Sequence, residues 1–170
     1  MSNRRRIQTK IITEEMKALI NYIIEAIKIG KSASNISVYT CQPKDKKELI
    51  EIIDERIKSE GPNCDLNDID VSNITDMSNL FEFLDFNNCN ISKWDVSNVT
   101  NMHGIFYGCE SFNQDISTWD ISKVTDMSSM FFNCESFNQN ISNWDVSKVK
   151  TMYGIFGECN IEDKYKPKFK

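Results

Sequence analysis

Residues 65–164 are one 25-residue pattern written four times without a gap. The copies run Asp65–Cys89, Asn90–Gln114, Asp115–Gln139 and Asn140–Lys164. Apolar columns hold through all of them: Leu66/Ile91/Ile116/Ile141, Val71/Val96/Ile121/Val146, Met77/Met102/Met127/Met152 and Phe81/Phe106/Phe131/Phe156. A further column reads Ile69/Trp94/Trp119/Trp144. One such unit cannot bury its own apolar face, so a chain of this kind must stack its copies and share a core between them.

The period changes within each copy. Ile116, Trp119, Ile121 and Val124 fit the L-x-x-L-x-L-x-x-N/C spacing of leucine-rich repeats, in which a short strand lines one side. Met127, Met130, Phe131 and Cys134 then fall at i, i+3, i+4 and i+7, which predicts a short helix opened by Thr125 or Asp126. The expected architecture is an α/β repeat solenoid. It is a leucine-rich-repeat-like, right-handed stack of four 25-residue coils, each a short parallel strand plus a short helix, under an α-helical N-terminal cap. That cap is residues 1–64, the array 65–164, and a charged tail 165–170. In the cap, Leu19, Ile20, Ile23, Ile24 and Ile27 trace an amphipathic helix over about 13–29. Ile36–Cys41 reads as a strand, and Asp45 with Glu48 forms a capping box before a second helix that Gly61-Pro62 ends.

Charge is divided along the chain. Residues 1–64 carry 12 Lys/Arg and 9 Asp/Glu, whereas residues 65–164 carry 5 and 16. An acidic array repels a phosphate backbone, so the expectation is no nucleic-acid partner; Arg4–Arg6 reads as a basic arm. No apolar run reaches membrane-span length, and no signal peptide is legible, so the chain as written reads as cytoplasmic.

The blocks WDVSNVTNM (Trp94–Met102), WDISKVTDM (Trp119–Met127) and WDVSKVKTM (Trp144–Met152) resemble the bacterial surface-protein repeat family called BspA-like or DUF285. So do Ile105–Gln114 and Met130–Gln139, and the likeness spans about residues 42–164. The resemblance implies a leucine-rich-repeat-like fold, a role in contact or adhesion, and location at the cell surface or outside the cell. It carries no catalytic residues. This chain departs from the pattern at both ends: Ile69 and Leu84 stand in place of Trp and Cys, and Lys150 and Glu162 in place of Thr and Phe. The end copies therefore read as partial caps.

No residue set points to chemistry. His103 is alone, and no C-x-x-C spacing marks a zinc site, so no catalytic, metal or cofactor residues are expected. Cys109, Cys134 and Cys159 share one column and read as small buried hydrophobes. Stacking would bring Cys64 and Cys89 within disulfide reach, and whether they pair is left open. Asp70, Asp95, Asp120 and Asp145 form the strongest polar column, flanked by Lys93, Thr118 and Asn143. These seven residues are the candidate partner-binding stripe; the competing reading is that each Asp bonds backbone N–H groups in the following turn. The expected function is a non-enzymatic protein-interaction or adhesion module with an unidentified protein partner. The alternatives are end-to-end self-association of a structural array, and an enzyme or regulator seated in residues 1–60.

Overall fold

The computed structural model describes residues 39–82 and 89–169. The chain divides into two units, Met1–Cys41 and Gln42–Lys170, and all four repeats lie in the second. The helix expected over about 13–29 and the first half of the strand expected at Ile36–Cys41 lie outside the described residues, and Tyr39–Cys41 form no strand.

Helix α1, Lys46–Glu60, forms where the capping box predicts it. The Asp45 carboxylate accepts the Glu48 N–H at 2.9 Å, and Glu48 reaches back to the Lys44 N–H at 2.9 Å. These bonds satisfy donors that have no partner within a helix's first turn. Gly61, at φ +92°, ends the helix with its N–H on the Ile57 carbonyl. Leu49, Ile53 and Ile57 are buried, each contributing about 1.5–3 kcal/mol. The polar side of α1 is tied to the first repeat. Arg56 forks onto Asp68 at 3.2 and 3.1 Å, and the Lys46 ammonium meets the Ser78 carbonyl, the Ser78 hydroxyl and Asp76.

The strand-plus-helix coils of the leucine-rich-repeat-like, right-handed α/β solenoid are not what the chain forms. Among the described residues there is one α-helix, α1, one 3-10 turn at Asp163–Tyr165, and no strand. The stretch expected to be a strand folds into two tight turns per repeat. The Trp119 and Val124 N–H groups bond the Ile116 and Ile121 carbonyls, three residues back. Asp115 and Asp120 draw the Ser117 and Ser122 N–H groups onto their own side chains, and such local bonds compete with any ladder.

The stretch expected to be a helix is overturned for a different reason. Asn79, Gly104, Ser129 and Gly154 share one column and all have φ between +53° and +64°. Gly108, Asn133 and Glu158, in a second column, also have positive φ. A right-handed helix cannot pass through left-handed residues. Successive turns form instead, such as Met130 N–H to Met127 O and Phe132 N–H to Ser129 O. Alternate N–H groups leave the repeat altogether. Those of Met102, Gly104, Phe106 and Gly108 donate to the carbonyls of Asp126, Ser128, Met130 and Phe132 at 2.9–3.1 Å. The same ladder joins Met77, Asn79 and Phe81 to the second repeat and Met127, Ser129, Phe131 and Asn133 to the fourth. Isolated parallel bridges at Asp76, Asn101, Asp126 and Thr151 mark its start.

The repeats therefore stack in register, and the columns become the core. Phe81, Phe106, Phe131 and Phe156 lie ring over ring at 5.5, 5.6 and 5.8 Å. Trp94, Trp119 and Trp144 are buried beside the phenylalanine of the preceding repeat. The Trp94 and Trp144 indoles donate to the Leu66 and Ile116 carbonyls, while the Trp119 N–H has no partner among the described residues. After the fourth repeat the chain continues in register: the Ile141 N–H donates to the Tyr165 carbonyl, 24 residues on, as Leu66 does to Asn90.

Candidate functional site

Three columns carry a carboxylate or amide that bonds the backbone N–H two residues ahead, in every repeat for two of them and in the first three repeats for the third. In the first, Asp65, Asn90, Asp115 and Asn140 hold Asn67, Ser92, Ser117 and Ser142 at 3.0–3.2 Å. The second holds Ser72, Ser97, Ser122 and Ser147, each at 3.0 Å, through Asp70, Asp95, Asp120 and Asp145. The third uses Asp76, Asn101 and Asp126 at 2.8–3.0 Å, and Thr151 follows in that column. Each bond fixes one side-chain oxygen of the Asp or Asn in its own turn.

The predicted stripe is thus brought together by the stack. Asp95, Asp120 and Asp145 are exposed, one on each of three successive repeats, and Asp70 is half-buried. Asp70 is also bound by the Gln42 amide at 2.7 Å, a contact no sequence pattern announces. The side-chain and backbone bonds from Ser122 hold the Asp120 carboxyl below the usual carboxylate range, against the charge of Asp145 next in the column. Stacked carboxylates repel; the turn bonds, and Lys123 close by, offset that repulsion.

The flanking column is heterogeneous. Lys93, Thr118 and Asn143 are all exposed. The Lys93 backbone N–H is held by the Asn67 side chain at 2.7 Å, and the Asn143 amide reaches the Ser117 carbonyl at 3.1 Å. One column further along the chain, Asn98 bonds the Ser72 carbonyl and the Lys123 ammonium bonds Asn98 at 2.7 Å. These cross-repeat links hold the surface around the carboxylates in a fixed pattern.

Sequence spacing did not single out Asn67, Gln42, Asn98 or Lys123. For Asn67, Asn98 and Lys123 the signal available was their proximity to the Asp column one repeat away, visible only once the 25-residue register is read as vertical stacking; Gln42, ahead of the array, had no such signal. Among the described residues, no three His, Cys, Asp or Glu side chains converge to hold a metal ion, and no helix is long and apolar enough to cross a membrane.

The model of one protein family, described as a Mycoplasma protein of unknown function, DUF285, matches residues 53–167. No curated protein and no solved structure matches the chain.

Proposed function

This chain belongs to the DUF285 family, and on that premise we propose that it is a non-enzymatic interaction module whose Asp95, Asp120 and Asp145 carboxylates engage a basic protein surface. One observation carries the reading. The two neighbouring turn columns use Asp and Asn interchangeably, as Asn90, Asn101 and Asn140 show, because an amide oxygen accepts the same bond. The column Asp70/Asp95/Asp120/Asp145 is Asp in every repeat. The turn alone does not require that charge. Held at repeat spacing by their turn bonds, the exposed Asp95, Asp120 and Asp145 carboxylates offer a preorganised row of negative charge to Lys and Arg.

The test is the triple variant Asp95→Asn, Asp120→Asn, Asp145→Asn, which keeps the turn bonds and removes three charges. Wild type and variant are used as bait in cell extract and in culture medium, and retained proteins are eluted with a salt gradient. The proposal expects a basic protein held by wild type, released by salt, and lost by the folded variant. Equal capture by both would refute it, as would turnover of any substrate in a broad hydrolase and transferase screen.

A second reading, end-to-end association, is favoured by the face of the fourth repeat. The Thr151, Tyr153, Ile155 and Gly157 carbonyls point back to the third repeat, so in trans peptides the N–H groups of Met152, Gly154, Phe156 and Glu158 point away from it. Among the described residues they meet no acceptor. Met152 is 39% exposed where Met77, Met102 and Met127 are wholly buried, and Tyr153 is 89% exposed. Two such faces would set donors against donors. Pairing head to tail needs the carbonyl edge of the first repeat, where Lys46 already occupies Ser78. Sedimentation showing a monomer at all concentrations would remove this reading.

A further inference from the structure

The two cysteines that flank the first repeat are not placed like the others. Cys64 and Cys89 bring their sulfurs to 2.7 Å. Both are buried, with 5% and 0% of their surface exposed. The backbone around them is held as a parallel pair: Asp65 and Asn90 form a bridge, the Asn90 N–H bonds the Cys64 carbonyl at 2.8 Å, and Leu66 N–H bonds Asn90. The Cys89 thiol also lies 3.2 Å from the Pro62 carbonyl, just past the end of α1.

The column these residues occupy gives their placement a meaning. In the later repeats it holds Gln114 and Gln139. The Gln114 amide donates to the Cys89 carbonyl at 2.5 Å and accepts the Ile91 N–H at 3.1 Å, while Gln139 donates to the Asn113 carbonyl at 3.0 Å. The position is one that fastens each repeat to its predecessor. At the junction between α1 and the array, two thiols replace the amides.

We propose that Cys64 and Cys89 are a disulfide-forming pair that covalently closes the first repeat and pins the end of α1 to it. The oxidant is a small-molecule disulfide of the glutathione class. Cys64, the more exposed of the two, loses its proton and attacks the oxidant; a Cys64 mixed disulfide forms and one thiolate leaves. Cys89 then loses its proton and attacks the Cys64 sulfur, expelling the second thiolate. Two cysteine thiols are oxidised, one disulfide bond forms between them, and one oxidant disulfide is reduced to two thiols. Burial, followed by the bond to Cys89, pushes the Cys64 thiol up to about 12, so the first step is slow in the folded chain and faster while the junction is forming.

The remaining column supplies an internal control. Cys109, Cys134 and Cys159 also recur at 25-residue spacing, yet Cys134 and Cys159 direct their sulfurs to the Phe106 and Phe137 carbonyls rather than to each other. They should stay thiols under the conditions that join Cys64 to Cys89.

The experiment oxidises the full chain with oxidised glutathione, once from the folded state and once during refolding from urea, then quenches with acid and alkylates the unfolded product. Residues 59–93 contain no Lys or Arg before Lys93, so trypsin leaves both cysteines in one peptide; a second digest at aspartate separates them. The expected result is a Cys64–Cys89 linkage, with Cys109, Cys134 and Cys159 alkylated. Thermal unfolding should move up by several degrees on oxidation in wild type and not in the Cys64→Ser, Cys89→Ser variant. Recovery of Cys64 and Cys89 alkylated, carrying glutathione, or joined to other cysteines in both treatments would overturn the proposal. That result would leave the acidic-column reading untouched, since the two share no residue.

Discussion

Replacing Ser129 by glycine and Gly104 by alanine should move stability in opposite directions, and the signs distinguish this fold from a helical repeat. Ser129 has φ +55° and Gly104 φ +57°, in the same column one repeat apart. Holding an L-residue in the left-handed region costs about 1–2 kcal/mol. Glycine avoids that cost but loses about 0.5–1 kcal/mol more backbone freedom on folding. Ser129→Gly should therefore stabilise by about 0.5–1 kcal/mol. Gly104→Ala reverses the balance, and its new Cβ also runs into the Asn79 side-chain oxygen, which must swing aside. A net loss of about 1–2 kcal/mol is expected. Urea unfolding followed by the fluorescence of the buried Trp94, Trp119 and Trp144 reads both differences. In an α-helix the outcome would invert, with Gly→Ala gaining about 1 kcal/mol and Ser→Gly losing about 0.5. A destabilised Ser129→Gly beside a stabilised Gly104→Ala would refute the turn ladder.

Three further outcomes follow from particular bonds. Trp94→Phe should cost about 1 kcal/mol more than Trp119→Phe in the same urea assay, because among the described residues the Trp94 indole has a carbonyl partner and the Trp119 indole has none. Lys46→Met should lose about 1 kcal/mol and speed amide exchange in α1 and the first repeat, since the ammonium links the helix to Ser78 and Asp76. Hydrogen bonds from Ser117 and Ser122 depress the Asp115 and Asp120 carboxyls below their ordinary 3.8. Their contribution is thus full above that pH and fades as pH falls through the lower folded values. Acid titration of Asp115→Asn, Asp120→Asn should show a shallower loss of stability below pH 3.8 than wild type.

What the sequence determined by itself was register and chemistry. A 25-residue spacing with invariant apolar columns leaves the chain one economical way to bury Ile116, Trp119, Met127 and Phe131, which is against their counterparts one repeat away. The α1 boundaries were legible because Asp45, Glu48 and Gly61 act on their own neighbours. The turn bonds of the Asp70/Asp95/Asp120/Asp145 column were legible for the same reason, since Asp120 bonds Ser122 within its own turn. Tertiary structure decided the backbone between the columns. Apolar residues at i, i+3, i+4 and i+7 satisfy a helix and a run of three-residue turns equally well, so periodicity could not separate them. The choice was made by where alternate N–H groups find acceptors. Once the Ser128, Met130 and Phe132 carbonyls stand one repeat away at hydrogen-bond distance, the Gly104, Phe106 and Gly108 N–H groups are satisfied between repeats. That arrangement requires left-handed residues at Asn79, Gly104, Ser129 and Gly154. Two glycines and an asparagine in that column were the sequence's trace of it, but their meaning depended on a neighbouring repeat already being in place.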